Sequence, residues 1–110
     1  MFGFMDMMDN YESRKVGNNK LPNDGFVSTA RVTDSSKPYE TAVKHKDYND
    51  GQIIIVEMYD TIEEAKIGHK KWKTIMLNTN LPNQLMDVST AKVALIANKA
   101  GRNTIFKKKN

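Results

Sequence analysis

The side chains that most often bind metal ions or transfer protons are scarce in this chain. It has two histidines, His45 and His69, and no cysteine among its 110 residues. If a helix bearing His69 packs across the strands that carry His45 and Glu57, the three side chains could meet as a His-His-carboxylate metal set. Their spacing matches no known ligand motif, and His69 lies on the apolar side of a predicted helix beside Trp72. We therefore expect both histidines to be structural, and we predict no metal and no cofactor.

Candidates for covalent or acid–base catalysis also lack the surroundings they need. No serine stands in a Gly-x-Ser-x-Gly turn, and the six glycines are scattered rather than gathered into a phosphate-binding loop. Glu63 and Glu64 fall in the first turn of the predicted helix, where the helix dipole favours negative charge. Without cysteine there is no thiolate nucleophile and no disulfide. We predict that the chain is not an enzyme and has no catalytic residue.

Three strands are predicted before this helix. Residues 26–32 are β-branched and alternating, residues 39–46 alternate in the same way, and residues 52–59 hold the densest β-branched run in the chain. Asp50-Gly51 is a favoured pair for a type I′ turn, so the second and third strands are predicted to form a hairpin. A two-residue turn there would place Lys44 opposite Glu57 and His45 opposite Val56.

A helix is predicted from about Thr61 to Leu77. Thr61 and Glu64 have the spacing of a capping box. Residues at intervals of three and four predict one stripe packed against the sheet, consisting of Ile62, Ala65, His69, Trp72, Ile75 and Met76. The opposite side carries a candidate basic surface, consisting of Lys66, Lys70, Lys71 and Lys73.

A last strand is predicted at residues 87–97, after a loop that contains Pro82. The segment Val-Ser-Thr-Ala-Arg-Val at residues 27–32 recurs as Val-Ser-Thr-Ala-Lys-Val at residues 88–93, so we expect both in similar half-buried strands. The order β-β-β-α-β predicts the α+β class, with a small antiparallel sheet of about four strands and one amphipathic helix packed on it. The other sheet face is expected to be open, or covered by the N-terminal arm or a partner.

Both ends of the chain are predicted to lie outside a single domain at residues 26–97. Residues 1–25 read as a mobile arm followed by a turn-rich loop from Arg14 to Gly25. The arm is rich in methionine and aromatic residues, which suit a segment that orders on binding another protein, or one that folds onto its own domain. The candidate partner-binding residues are Met1, Phe2, Phe4, Met5, Met7, Met8 and Tyr11.

The basic character of the chain is concentrated at its C-terminus. The net charge is +4, but residues 1–97 hold 12 basic and all 13 acidic side chains, and residues 98–110 hold the other five basic ones. This end is predicted to be a solvated tail, and Lys107, Lys108 and Lys109 extend the candidate basic surface. The longest apolar run, residues 53–56, is far shorter than the roughly 20 residues of a membrane span, so no membrane partner is expected.

Several segments resemble a family of short proteins encoded by tailed bacteriophages of Gram-positive bacteria. The most specific part runs from Pro38-Tyr-Glu-Thr-Ala-Val43, through Val56-Glu-Met-Tyr-Asp-Thr61, to Gly68-His69 and Trp72. Weaker similarity includes Phe26-Val-Ser-Thr-Ala30 and extends the resemblance from residue 10 to about residue 76. The resemblance implies a phage origin, and because the family has no settled molecular function, no site residue is carried over from it.

Two classes of function are expected for such a protein. The first is a protein-interaction module, either a virion-associated or assembly component or an inhibitor that covers a host protein, located in the host cytoplasm or the virion. The alternative is a nucleic-acid-associated accessory protein that uses the basic helix face and the C-terminal tail. The absence of a reactive constellation favours the first class.

Overall fold

The sheet that carries the domain has four antiparallel strands in the order of the sequence. A computed structural model describes residues 14–33, 37–89 and 104–109. The strands are β1 (Lys15–Leu21), β2 (Gly25–Arg31), β3 (Tyr39–Lys44) and β4 (Ile54–Tyr59), and each pairs with the next. The helix α1 (Ile62–Leu77) follows β4 and contacts all four strands. The predicted α+β class, with one helix on a small antiparallel sheet, is confirmed.

Strand β1 lies where a loop was predicted, so the sheet begins 11 residues earlier than residue 26. Its helix-facing positions are Gly17, Asn19 and Leu21, and only the last is apolar, so the strand shows no hydrophobic alternation. A Cβ at Gly17 would lie 2.6 Å from the His69 ring, and Asn19 hydrogen-bonds the same ring. The inner face of β1 is therefore polar because it packs against His69 of the helix. This contact cannot be inferred from the sequence pattern of the strand alone.

The predicted pairing between β3 and β4 is wrong. Thr41 pairs with Glu57 and Val43 with Ile54, and Val56 is the extra residue of a β-bulge. The connection spans residues 45–53 instead of two residues, with a 3₁₀ turn at Asn49–Gly51. The chain needs this length because Tyr48 folds inward, is 1% exposed, and donates a hydrogen bond of 2.5 Å to the Pro82 carbonyl. Val56 is buried in the core, and the next residue, Glu57, contacts Trp72 and Lys71 of the helix.

The predicted helix is confirmed. Thr61 accepts a hydrogen bond from the Glu64 backbone N–H, and the Glu64 side chain accepts one from the Thr61 N–H, which together form the predicted capping box. Ala65, Gly68, His69 and Met76 are buried against the sheet, and Trp72 and Ile75 are partly buried. Ile62, predicted in the same stripe, is 38% exposed. It stands in the first turn, at the end of the stripe.

A second, two-stranded sheet completes the described fold. It pairs β5 (Gln84–Asp87) with β6 (Thr104–Lys107), and Leu85 of β5 joins the core formed with Val27, Val43, Ile54 and Met76. Of the strand predicted at residues 87–97, only Asp87 lies in β5; residues 88 and 89 belong to no strand, and residues 90–97 lie outside the described part of the chain. Strand β6 corrects the prediction of a solvated tail over residues 98–110, since Thr104–Lys107 is paired with β5.

Candidate functional site

Between α1 and the sheet lies an unbroken line of hydrogen-bonded side chains. Thr29 of β2 and Thr41 of β3 are both fully buried, and their hydroxyl oxygens are 2.5 Å apart. Thr29 Oγ1 lies 2.8 Å from His69 Nδ1, and Thr41 Oγ1 lies 2.9 Å from the Tyr59 hydroxyl. Every strand of the four-stranded sheet contributes to this line, which we call the polar ladder; its members are Asn19, His69, Thr29, Thr41, Tyr59 and Glu57.

His69 holds one end of the polar ladder. Its Nε2 lies 2.8 Å from Asn19 Oδ1, so both ring nitrogens are bonded. Burial lowers the pKa of His69, and the charge of Lys73 lowers it further. The ring is therefore neutral at pH 7, and because Asn19 presents an oxygen, the proton is assigned to Nε2. Nδ1 then accepts the Thr29 proton.

Glu57 holds the other end. Its Oε1 accepts hydrogen bonds from Trp72 Nε1 at 2.8 Å and from the Tyr59 hydroxyl at 3.3 Å, and it forms an ion pair of 2.6 Å with Lys71 Nζ. Burial would raise the pKa of Glu57, but the hydrogen bonds from Lys71 and Trp72 and the charge of Lys71 lower it overall. Burial and the nearby Glu57 charge raise the pKa of Tyr59 to about 12. Glu57 is thus ionised and Tyr59 protonated at neutral pH.

The absence of a side chain at Gly68 makes room for Tyr59. A Cβ at this helix position would overlap the Tyr59 ring and hydroxyl. Gly68 thus lets α1 pack closely over the Tyr59 side chain, which bonds Thr41 on the neighbouring strand. This glycine was not among the predicted core positions, because glycine has a low helix propensity and no apolar side chain that would indicate a core position.

The hydroxyl groups of the polar ladder donate their hydrogen bonds in a defined order. With His69 neutral, Thr29 donates to Nδ1 and Thr41 donates to Thr29, and the single Tyr59 proton goes either to Glu57 or to Thr41. When Tyr59 donates to Glu57, the Thr41–Tyr59 contact has no proton unless Thr41 gives up its hydrogen bond to Thr29. The ladder can therefore rearrange on the Glu57 side without leaving a donor unpaired, but His69 Nδ1 depends on Thr29 alone.

In this arrangement the titratable side chains His69, Tyr59 and Glu57 are hydrogen-bonded to other side chains of the domain, so they are not available to a substrate. Within the described ranges every buried side-chain nitrogen or oxygen has a hydrogen-bond partner, and no group of three His, Asp or Glu side chains could hold a metal ion. His45 is not part of the ladder; its Nδ1 accepts from the Asp47 N–H at 3.0 Å, and its ring lies edge-on to Tyr48. The structure does not bring His45, His69 and Glu57 together as a metal set.

A shallow cleft of about 290 Å³ opens at the Glu57 end of the polar ladder, between β4 and the first half of α1. Ile67 stands in its wall and is 70% exposed, the highest value among the exposed large apolar residues of the described chain. The Lys71–Glu57 ion pair and a 3.4 Å pair between Lys37 and Asp60 also contribute to its lining. We call this feature the Ile67 cleft.

A second cleft, of about 410 Å³, lies beside the turn between β3 and β4. One side is formed by the end of β6 and the residues after it, and the other by residues 46–50. We call it the lysine cleft, and its lining is Lys46, Asp47, Asn49, Asp50, Ile105, Phe106, Lys107 and Lys109.

The predicted site residues are distributed as follows. The helix lysines Lys66, Lys70, Lys71 and Lys73 are all exposed, and Lys71 is engaged with Glu57. Lys107, Lys108 and Lys109 are also exposed, but they are attached to the domain through β6. The candidate partner-binding residues Met1, Phe2, Phe4, Met5, Met7, Met8 and Tyr11 lie outside the described residues.

Sequence reasoning missed the polar ladder. Thr29 and Thr41 were interpreted only as β-branched strand formers, and Tyr59 only as a strand residue. Their hydrogen-bond partners lie 12 to 40 residues away in sequence, so no local pattern records the pairing. The one available signal was a threonine at a core-facing position of each of two neighbouring strands.

Comparisons of this chain with protein-family models, with curated proteins and with solved structures give no match. In the part of the chain that the structure describes, no helix is long and apolar enough to cross a membrane. The geometry of the two clefts and of the polar ladder is therefore the basis for assigning a function.

Proposed function

We propose that this chain is a non-catalytic protein-interaction module encoded by a phage, acting either in the virion and its assembly or as an inhibitor that covers a host protein. The phage origin is supported by the resemblance of residues 38–72 to short phage proteins. The non-catalytic role is supported by the polar ladder, because a general base or nucleophile must be able to reach a substrate proton or carbon. Here His69 has both nitrogens occupied, and Tyr59 stays protonated.

The observation that carries the proposal is the exposure of Ile67 in its cleft. A large apolar side chain that is 70% exposed gains about 1–2 kcal/mol when a partner buries it. Charged residues surround it, and interface positions that matter most are commonly apolar anchors within a polar rim. Lys37, Lys71 and Asp60 give this rim both signs of charge. The expected partner is a protein segment that places an apolar side chain on Ile67 and polar groups on these ion pairs.

The test compares two glutamine variants in the same helix. Ile67→Gln removes the exposed anchor, and Leu77→Gln is the matched control, because Leu77 is also exposed and lies about 15 Å further along the helix axis. Tagged wild type and both variants are used to capture proteins from infected cells of a Gram-positive host. We expect one protein to be retained by wild type and Leu77→Gln and lost by Ile67→Gln. Equal retention by all three would contradict a role for the Ile67 cleft.

A second measurement separates the two forms of the proposal. Mass spectrometry of purified virions detects this chain if it is a virion component. Its absence from virions, together with capture of a host protein, supports the inhibitor form. The predicted N-terminal arm adds a further expectation: deletion of residues 1–9 should weaken capture while leaving the circular dichroism spectrum and melting temperature nearly unchanged.

A further inference from the structure

Three lysines, Lys46 from the turn after β3 and Lys107 and Lys109 from the end of the chain, meet at the lysine cleft. The Lys109 N–H donates to the Asp47 carbonyl at 2.7 Å, and the Lys108 N–H donates to the Asn83 carbonyl at 2.8 Å. These backbone bonds continue the attachment that β6 makes to β5, and they place Lys107 and Lys109 opposite Lys46. Lys107, Lys108 and Lys109 are therefore fixed on the domain surface.

The positive charge at this cleft is only partly balanced. No ion pair found within the described residues involves Lys46, Lys107, Lys108 or Lys109. A neighbouring cavity of about 470 Å³ is lined by Lys46, Asp47, Lys108 and Lys109, so the two openings share three of these residues. Asp47 and Asp50 are the acidic residues of the combined lining, and four lysines against two acids leave a net charge of +2.

His45 precedes Lys46 in the sequence and is affected by several of these charges. Burial lowers the pKa of His45, the charge of Asp47 raises it, and the charges of Lys46 and Lys108 lower it. The net positive charge of the combined lining favours an anion that enters from solvent.

We propose that the lysine cleft binds the phosphate backbone of a single-stranded nucleic acid, a function separate from that of the Ile67 cleft. A volume of about 410 Å³ is within the range of pockets that hold small ligands, and it suits part of one strand. A duplex is too wide to enter such a cleft. Ile105, which is exposed, lines the same opening and offers apolar surface to a base, and Phe106, which also lines it, packs against the core. A basic groove with apolar or aromatic contacts is the general arrangement of single-strand binding sites.

The test is the binding of a fluorescent twelve-nucleotide oligothymidine, measured by anisotropy as a function of salt. The variant Lys46→Gln/Lys107→Gln/Lys109→Gln removes three charges from the cleft. The matched control, Lys66→Gln/Lys70→Gln/Lys73→Gln, removes three exposed lysines from the helix. We expect the cleft variant to bind at least tenfold more weakly and the control to bind within about twofold of wild type. Because each phosphate contact to a single strand contributes about 0.7 to the slope of log K against log salt, the slope should fall in magnitude by about 2.

Three outcomes would overturn the proposal. Equal weakening in both triple variants would indicate a net-charge effect, tighter binding of a duplex of the same length would exclude a single-strand site, and no binding by wild type at low salt would exclude the site altogether. If the cleft variant does not fold, ¹⁵N chemical-shift changes in wild type decide instead: the proposal requires them at Lys46, Lys107 and Lys109, and shifts confined to the helix lysines contradict it. Ile67→Gln should bind the oligonucleotide like wild type, which separates this proposal from the protein-interaction function.

Discussion

Replacement of Thr29 by valine tests the polar ladder most sharply, because the two side chains have nearly the same shape. The change removes the hydrogen bond that Thr29 donates to His69 Nδ1 and the one that it accepts from Thr41. Thr41 can then donate to Tyr59, and Tyr59 to Glu57, so those groups keep partners. His69 Nδ1 has no alternative donor and is left unpaired in a buried position.

The expected magnitude follows from this single unpaired group. A buried polar atom without a partner costs about 1–3 kcal/mol, and the lost hydrogen bond between the threonines costs about 1 kcal/mol more. The added methyl group returns about 0.8 kcal/mol. We therefore expect Thr29→Val to lower the free energy of unfolding by about 2 kcal/mol, which corresponds to a melting temperature roughly 10 °C lower.

The matching substitution on β3 should cost less. In Thr41→Val, Thr29 still donates to His69 Nδ1 and Tyr59 still donates to Glu57, so every donor in the ladder keeps a partner. The expected loss is below about 1 kcal/mol. Thr74→Val is the control, since Thr74 is exposed on the helix and valine has a similar helix propensity; it should change stability by less than about 0.5 kcal/mol.

The assay is urea unfolding followed by the fluorescence of Trp72, the single tryptophan, which donates to Glu57 in the folded state. The free energy of unfolding should be highest for Thr74→Val, intermediate for Thr41→Val and lowest for Thr29→Val. If Thr29→Val is as stable as Thr74→Val, or more stable than Thr41→Val, the proposed proton direction of the ladder is wrong.

Three further predictions concern pH, packing and capping. Burial lowers the pKa of His69 in the folded state, so the unfolded chain binds more protons below about pH 6.5; stability should fall as the pH drops through this range, and His69→Gln should show a weaker fall in melting temperature between pH 7.5 and 5. If the melting temperature of His69→Gln falls as steeply as that of wild type, the pH dependence does not come from His69, and His45, whose pKa is also lowered, would account for it. Gly68→Ala should lower stability by at least about 1 kcal/mol in urea unfolding, because its Cβ would overlap Tyr59, whereas a stabilisation of 0.5–1 kcal/mol would mean that the helix position is open. Thr61→Ala should cost about 1 kcal/mol through loss of the capping box, and an unaltered melting temperature would rule out that contribution.

The features that could be predicted from the sequence are those set by neighbouring residues. The capping box joins Thr61 and Glu64 within one turn, and the spacing of Ala65, His69 and Met76 follows the helix period, so α1 was predicted to within one residue. The strands β2, β3 and β4 were recognised because their β-branched residues alternate.

The features that could not be predicted depend on contacts between distant residues. Strand β1 has a polar inner face because Asn19 bonds His69, which is 50 residues away. The β3–β4 register departs from a tight hairpin because Tyr48 is buried against Pro82, 34 residues further on. The lysine cleft forms because β6 pairs with β5, a long-range pairing that a basic composition does not indicate.

We propose that the Ile67 cleft receives a partner protein, and site-specific photo-cross-linking detects such a contact at residue 67 itself. A photoreactive amino acid is placed at position 67 and, in a separate protein, at position 77 of the same helix, and both are irradiated in infected host cells. We expect one adduct of defined mass from position 67 and no such adduct from position 77. The absence of an adduct from position 67, or the same adducts from both positions, would contradict the proposal.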